Sequence, residues 1–340
     1  LLIKMKKIFI NSILFISSVL VIISIIEILL ITSNLKLNFV KKYNKDNNNF
    51  DKIYSDYRKY DPVLGWSLKP NYNLKGYVIN QNGFRSNIKE NLFTSQKSKT
   101  LLVGDSMVFG YLFDQQEHIF SEKLNSYYSN QLIVNTGVPG WSTVQYYLAL
   151  KENIGMPNIK NIILFNTVRN DMWMNIRENE WQPATRIKND ELIFLKPNKI
   201  IKPPLYKKTM IYQTLDKNLQ GKDLNYIINR LDLEIRGSKS YSWRVNEKLI
   251  IKINNLAKKH SIPLIVIDIP TEGMTENREK KYDRLEYMKN LFKKNGIKYF
   301  NLNEYYPKNI AEIFIKNDSH WNKLGHEFIS TFIKEKININ

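Results

Sequence analysis

Apolar and polar positions follow two rhythms along this chain. Five short apolar runs recur: Thr100–Val103, Leu132–Asn135, Ile162–Phe165, Pro263–Ile267 and Lys298–Leu302. Runs of this length, bounded by turn residues, read as buried strands. Between and after them the pattern lengthens to a helical period, near 115–128, 143–153, 244–259, 282–294 and 322–336. Alternating strands and helices predict a parallel sheet with helices on both faces, joined by right-handed crossovers. The expected class is α/β.

One interval breaks the rhythm. From about 172 to 241 the chain holds Trp173, Trp181, a hairpin pattern (TRIKNDELIFL) and a basic, Pro-containing stretch (KPNKIIKPPLYKK). An insertion after a strand's carboxyl end covers or shapes a site, or is a surface elaboration. Upstream, 54–98 is rich in Gly, Pro, Asn and aromatics, which suits short strands and turns packed as a collar. Residues 36–53 are polar (KKYNKDNNNF) and read as a linker. No internal repeat is visible.

The longest apolar run lies at the start. Ile8 to Ile26 carries no charge, and apolar character continues to about Thr32. That is about the 20 residues needed to cross a bilayer. Lys4, Lys6 and Lys7 precede it, as the positive-inside tendency expects for a cytoplasmic start, while Lys36, Lys41 and Lys42 follow it and keep the charge asymmetry modest. No A-x-A cleavage pattern follows, and the run exceeds a signal-peptide core. The expectation is a single-pass signal anchor over 1–35 in the inner (cytoplasmic) membrane, with a cleaved signal as its rival. In both cases the rest of the chain faces the periplasm or the exterior.

Four loops at the expected carboxyl ends of strands carry polar residues that an apolar core does not need. They are Gly104-Asp105-Ser106, NTGVPGWST with Gly137 and Gly140, NTVRNDMW with Asn170 and Asp171, and NDSHWNKLGH with Asp318 and His320. In a parallel sheet all four emerge on one edge, where open α/β folds place ligands. A serine hydroxyl is a weak nucleophile and needs a neighbouring base. His320 can be that base, and Asp318 can hold its tautomer. The backbone N–H groups of Ser106 and Gly140 and the amide of Asn170 can meet the charge of a tetrahedral intermediate.

These blocks, in this order from about Lys99 to Ile337, resemble the SGNH hydrolase superfamily of GDSL-type esterases. DPVLGWSLKPN and NGFRSN resemble a collar in its membrane-anchored or exported bacterial members. The resemblance implies a flavodoxin-like αβα sandwich over 99–340 and a serine ester hydrolase working through an acyl-enzyme on Ser106, His320 and Asp318. The oxyanion hole would be Ser106, Gly140 and Asn170. Two departures stand out. The third block reads Arg169-Asn170-Asp171, with Arg169 where glycine is usual. It could reach an anionic substrate or salt-bridge at the surface. Asp318 and His320 are two apart, not three, and Trp321 follows. That D-x-H-W form is similar to one in cell-envelope polysaccharide O-acetyltransferases. Asn317 holds the three-back position, but an amide cannot stabilise an imidazolium as a carboxylate does.

Three functions therefore stand: an esterase on an extracytoplasmic ester such as an acylated glycan or lipid, an O-acyltransferase fed by a membrane acyl-donor protein, and a non-catalytic scaffold in envelope assembly. His326 lies six residues past His320, off its helical face, and reads as structural. His118 and His260 read as surface or packing residues. Asp105 and Asp171 read as loop braces. Trp141, Trp173 and Trp321 either stack on sugars or pack around the loops.

Composition removes several further classes. None of the 340 residues is cysteine, which excludes disulfides, thiolate catalysis and cysteine-ligated metal sites. No histidine–carboxylate spacing suits a metal, and no phosphate-binding glycine motif opens a helix, so no cofactor is expected. The net charge of +19 comes largely from dispersed lysines. That suits anionic headgroups or acidic polymers and gives no nucleic-acid signature.

Overall fold

The strands form where the chain is continuously apolar. In the computed structural model, which describes residues 2–32, 57–74, 76–176, 182–197, 231–232, 235–236, 239–269, 284–316, 318–337 and 339, the runs become β5 (Ser98–Val103), β6 (Gln131–Asn135), β7 (Ile159–Thr167), β10 (Leu264–Ile269) and β11 (Lys298–Asn301). They pair in parallel in the order β11-β10-β7-β5-β6. Counted along the chain this is 2-1-3-4-5, the flavodoxin-like doubly wound order. Its switch point lies between β5 and β7.

The connecting helices bury one stripe each. They are α3 (Phe120–Tyr127), α4 (Thr143–Asn153), α6 (Tyr241–Lys259), α7 (Arg284–Lys294) and α8 (Lys323–Lys336). Two short helices follow strands directly, α2 (Ser106–Phe109) after β5 and α5 (Val168–Met174) after β7. Helices α3 and α8 cover one face of the sheet, over a core that includes Leu102, Phe120, Ile163, Phe165, Trp321 and Ile329. Helices α4 and α6 pack together through Val144, Val245 and Leu249. The insertion supplies an antiparallel hairpin, β8 (Ala184–Lys188) with β9 (Glu191–Leu195). Phe194 of that hairpin stacks on Tyr147 of α4.

The collar residues form two small antiparallel pairs. These are β1 (Arg58–Asp61) with β2 (Gly65–Leu68), and β3 (Tyr72–Leu74) with β4 (Tyr77–Ile79). By its contacts the chain divides into two units, 1–55 with 200–227 and 56–199 with 228–340. The sheet and collar belong to the second. The first contains α1 (Leu2–Thr32). Its consecutive apolar residues Val19–Ile23 are all exposed, so no single face is set aside for a core. Among the described residues, no helix is long and apolar enough to cross a membrane. The side chains of Leu2–Ile10, Ile13, Glu27 and Leu29–Thr32 lie outside the described ones. So do the linker, Trp181, Asn317 and most of the basic stretch after Pro197.

Candidate active site

The carboxyl end of β5 turns sharply at Gly104. A Cβ there would lie 2.4 Å from Val108 Cγ2, so only glycine fits. Asp105 then caps α2, its Oδ1 accepting the Met107 N–H at 2.9 Å. The Thr167 hydroxyl at the end of β7 donates to the same oxygen at 3.1 Å. This fully buried carboxylate thus ties the two strands that flank the switch point. Ser106 is the first residue of α2, where a backbone N–H has no acceptor within the helix.

A second loop descends on Ser106 from the far end of the chain. Its carriers are Phe314 and Trp321, paired as an antiparallel bridge, and Trp321 is sunk in the core at 1% exposure. Asn322 holds the loop with two side-chain bonds to the carbonyls of Glu312 and Phe314, and caps α8 through the Gly325 N–H. Between these anchors stand Asp318 and His320. His320 Nε2 lies 2.8 Å from Ser106 Oγ, and Nδ1 lies 2.5 Å from Asp318 Oδ1. The same carboxylate oxygen accepts the His320 backbone N–H at 2.8 Å.

Charge and tautomer follow from the partners. Burial raises the Asp318 carboxyl, but the hydrogen bonds and charge from His320 outweigh it and hold it below the ordinary range. An ionised carboxylate only accepts, so Nδ1 donates to it and Nε2 keeps a lone pair toward the serine hydroxyl. The arrangement can take a proton from Ser106.

Strand order brings the other candidates alongside. β5 lies between β6 and β7, so Gly140 follows one neighbour and Asn170 follows the other. Gly140 sits at φ +82 with Trp66 Cζ2 3.2 Å from where a Cβ would stand. Asn170 is in α5, and its side chain, like that of Arg169, lies outside the described ones. Asp171 is buried beneath, accepting from the Thr167 N–H at 2.8 Å and the Tyr146 hydroxyl at 3.0 Å. Burial and the nearby Asp105 charge push its carboxyl well up. Both acids therefore brace loops.

Trp141 and Trp321 are buried and pack, while Trp173 is half-buried. His326 is fully buried, and His118 and His260 lie at the surface of their segments. Four contributors escaped the sequence reading: Thr167, Tyr146, Tyr111 and Arg85. The Tyr111 ring meets the His320 ring edge-on at 5.2 Å. Arg85 lies in the NGFRSN stretch of the collar, but nothing in that pattern marks it as buried.

Comparison with known proteins gives a weak likeness. No family model and no curated protein matches the chain. Among solved structures, a member of the lipolytic protein G-D-S-L family from Veillonella parvula is 15% identical with a TM-score of 0.41, covering 71% of this chain and 98% of its own. A psychrotrophic esterase from Pseudoalteromonas sp. is 10% identical at 0.40, over 71% and 96%. A lipase/acylhydrolase from Enterococcus faecalis is 12% identical at 0.40, over 71% and 95%.

Proposed function

We propose that the chain is an SGNH-type serine ester hydrolase. The observation that supports it is the hydrogen-bonded line from Ser106 through His320 to Asp318, set at the switch point of a doubly wound sheet. In this reading Ser106 Oγ attacks the ester carbonyl and its proton passes to His320 Nε2. The imidazolium is stabilised by Asp318. Negative charge on the former carbonyl oxygen meets the N–H groups of Ser106 and Gly140 and the Asn170 amide. Collapse expels the alcohol, which takes the proton from His320. Water then repeats the sequence on the acyl-enzyme and releases the acid.

The test is hydrolysis of p-nitrophenyl acetate by the purified full chain. Ser106→Ala is expected to lower turnover by about 10⁴-fold or more. Equal rates for parent and variant end the proposal. Labelling of Ser106 by a fluorophosphonate separates an enzyme from a scaffold.

A second reading shares the nucleophile and changes the acceptor to a glycan hydroxyl. The pairing of His320 with an aspartate two residues back, the D-x-H spacing, favours it. Acetylation of a chito-oligosaccharide outpacing hydrolysis would select it. The same proposal places the site outside the cytoplasm, tethered by the uncharged run Ile8–Ile26. Release of the full chain from membranes by alkaline carbonate would remove the tether.

A further inference from the structure

The collar touches the candidate site at two points, and both contacts are made by buried side chains. Arg85 is fully buried. Its Nη1 donates to the carbonyls of Phe109 at 3.0 Å and Gly110 at 2.6 Å, and its Nη2 to Phe113 at 2.7 Å and Gly76 at 3.3 Å. Its Nε donates to Gln116 Oε1 at 3.0 Å. The guanidinium lies over the rings of Tyr77 and Phe109 at 4.5 and 4.9 Å. Burial lowers its pKa to about 10, which leaves it charged at neutral pH.

The acceptors explain why a cation is buried there. Helix α2 has only four residues. A helix this short is unstable alone, and its final carbonyls have no partners within it. Gly110 ends it in the left-handed region, at φ 78. Asn135 Nδ2 donates to the Val108 carbonyl at 2.8 Å, and Arg85 donates to the next two, Phe109 and Gly110, through a rigid fork that lysine cannot imitate. Ser106 is thereby held between two anchors, Asp105 on the amino side and Arg85 on the carboxyl side.

Trp66 makes the second contact. Its indole N–H donates to the Pro139 carbonyl at 3.1 Å, and its own carbonyl accepts the Trp141 indole N–H at 2.9 Å. Its ring also closes on Gly140. Nearby, Gln145 Nε2 donates to the Leu64 carbonyl at 2.7 Å.

We propose that the collar is a positioning element of the reaction: Arg85 fixes the nucleophile helix and Trp66 fixes the Gly140 turn. The proposal rests on the esterase reading above. A displaced serine or oxyanion donor costs transition-state stabilisation while substrate still binds, so the loss should fall on kcat.

The experiment measures kcat and KM for p-nitrophenyl acetate per active site titrated by fluorophosphonate, in the full chain. Arg85→Lys is expected to lower kcat per titrated site by about 10²-fold with KM little changed, a loss typical of an ångström-scale misplacement. Guanidinium added to Arg85→Ala should recover part of it, and methylammonium should not. Trp66→Phe, which removes the N–H and shortens the ring that closes on Gly140, should lower kcat per site less, by several fold. If Arg85 variants do not fold, Gln116→Met, which strips the Nε acceptor, and Trp66→Phe carry the test. Unchanged kcat per titrated site in the folded variants, with the loss confined to the titrated fraction, overturns the proposal and leaves the collar merely structural. A parent that neither turns over nor labels removes the esterase reading and this inference together. An active parent with indifferent variants removes the inference alone.

Discussion

The loop before α8 and the first turn of that helix each present a histidine, six residues apart, in opposite surroundings. His320 stands at the rim with both ring nitrogens engaged, one by a carboxylate and one by a hydroxyl. His326 is sealed in the core by Phe113, Phe120 and Trp321. Its Nδ1 receives only the Phe120 N–H at 3.4 Å, and its Nε2 has no partner among the described residues. Burial, helped by the charges of Arg85 and Lys123, pushes its pKa down to about 3. The chain thus sets one imidazole in a hydrogen-bonded line at the rim and uses the other as a neutral packing group. Partners and water access decide which is which, and proximity in sequence decides nothing.

The largest test of that contrast is paired truncation. In the esterase reading, His320→Ala should lower kcat by about 10⁴-fold, as for members of a triad that act as a unit. His326→Ala should keep most of its turnover and instead lose about 2–4 kcal/mol of stability, the cost of a cavity in a packed core. Ester kinetics and urea unfolding on both variants check this. Large losses of turnover in both would erase the distinction.

Next in size is Asp318→Asn. An amide can donate to Nδ1, which favours the tautomer with its proton on Nε2 and leaves no lone pair for Ser106. Turnover should fall by about 10²–10⁴-fold, with the fold intact by circular dichroism. A variant as active as the parent would show that the two-back aspartate only shapes the loop through the His320 backbone N–H.

The contrast also shows what could be read from the chain. Continuous apolar runs such as Leu101–Val103 and Ile162–Phe165 are wholly buried, so pattern alone located the strands to within a few residues. β7 reaches on to Thr167 because Asn166 and Thr167 are buried polar residues with partners. No periodicity reports such pairing. Ser106 and His320 were legible because their loops carry polar residues at strand ends. Asp105 and Asp171 were legible as loop braces, but their partners Thr167 and Tyr146 were not, nor was the Arg85 clamp, whose acceptors Phe109, Gly110 and Phe113 stand far along the chain. His326 was legible as structural from its place off the His320 face.

The smallest effect is a slope, and its sign isolates His326. An unfolded histidine titrates near 6.5, and this one titrates at about 3 when folded. Between those values the unfolded chain binds the extra proton, so stability is full above about 6.5 and falls as pH drops toward 3. From pH 6.5 to 4.5 the parent should lose roughly 2–3 kcal/mol on this account, at about 1.4 kcal/mol per unit. Other groups titrate nearby with different signs. Asp318, held low when folded, gives up its contribution only below the usual carboxylate range, outside the window. Asp171, pushed up when folded, acts oppositely: its unfolded form ionises above about 3.9 and draws stability down as pH rises. Subtracting the same measurement on His326→Leu cancels both. Urea unfolding at half-unit steps should therefore show the parent losing about that much stability relative to the variant as the pH falls. Parallel curves would mean that the buried imidazole takes up its proton within the fold, and the contrast with His320 would rest on geometry alone.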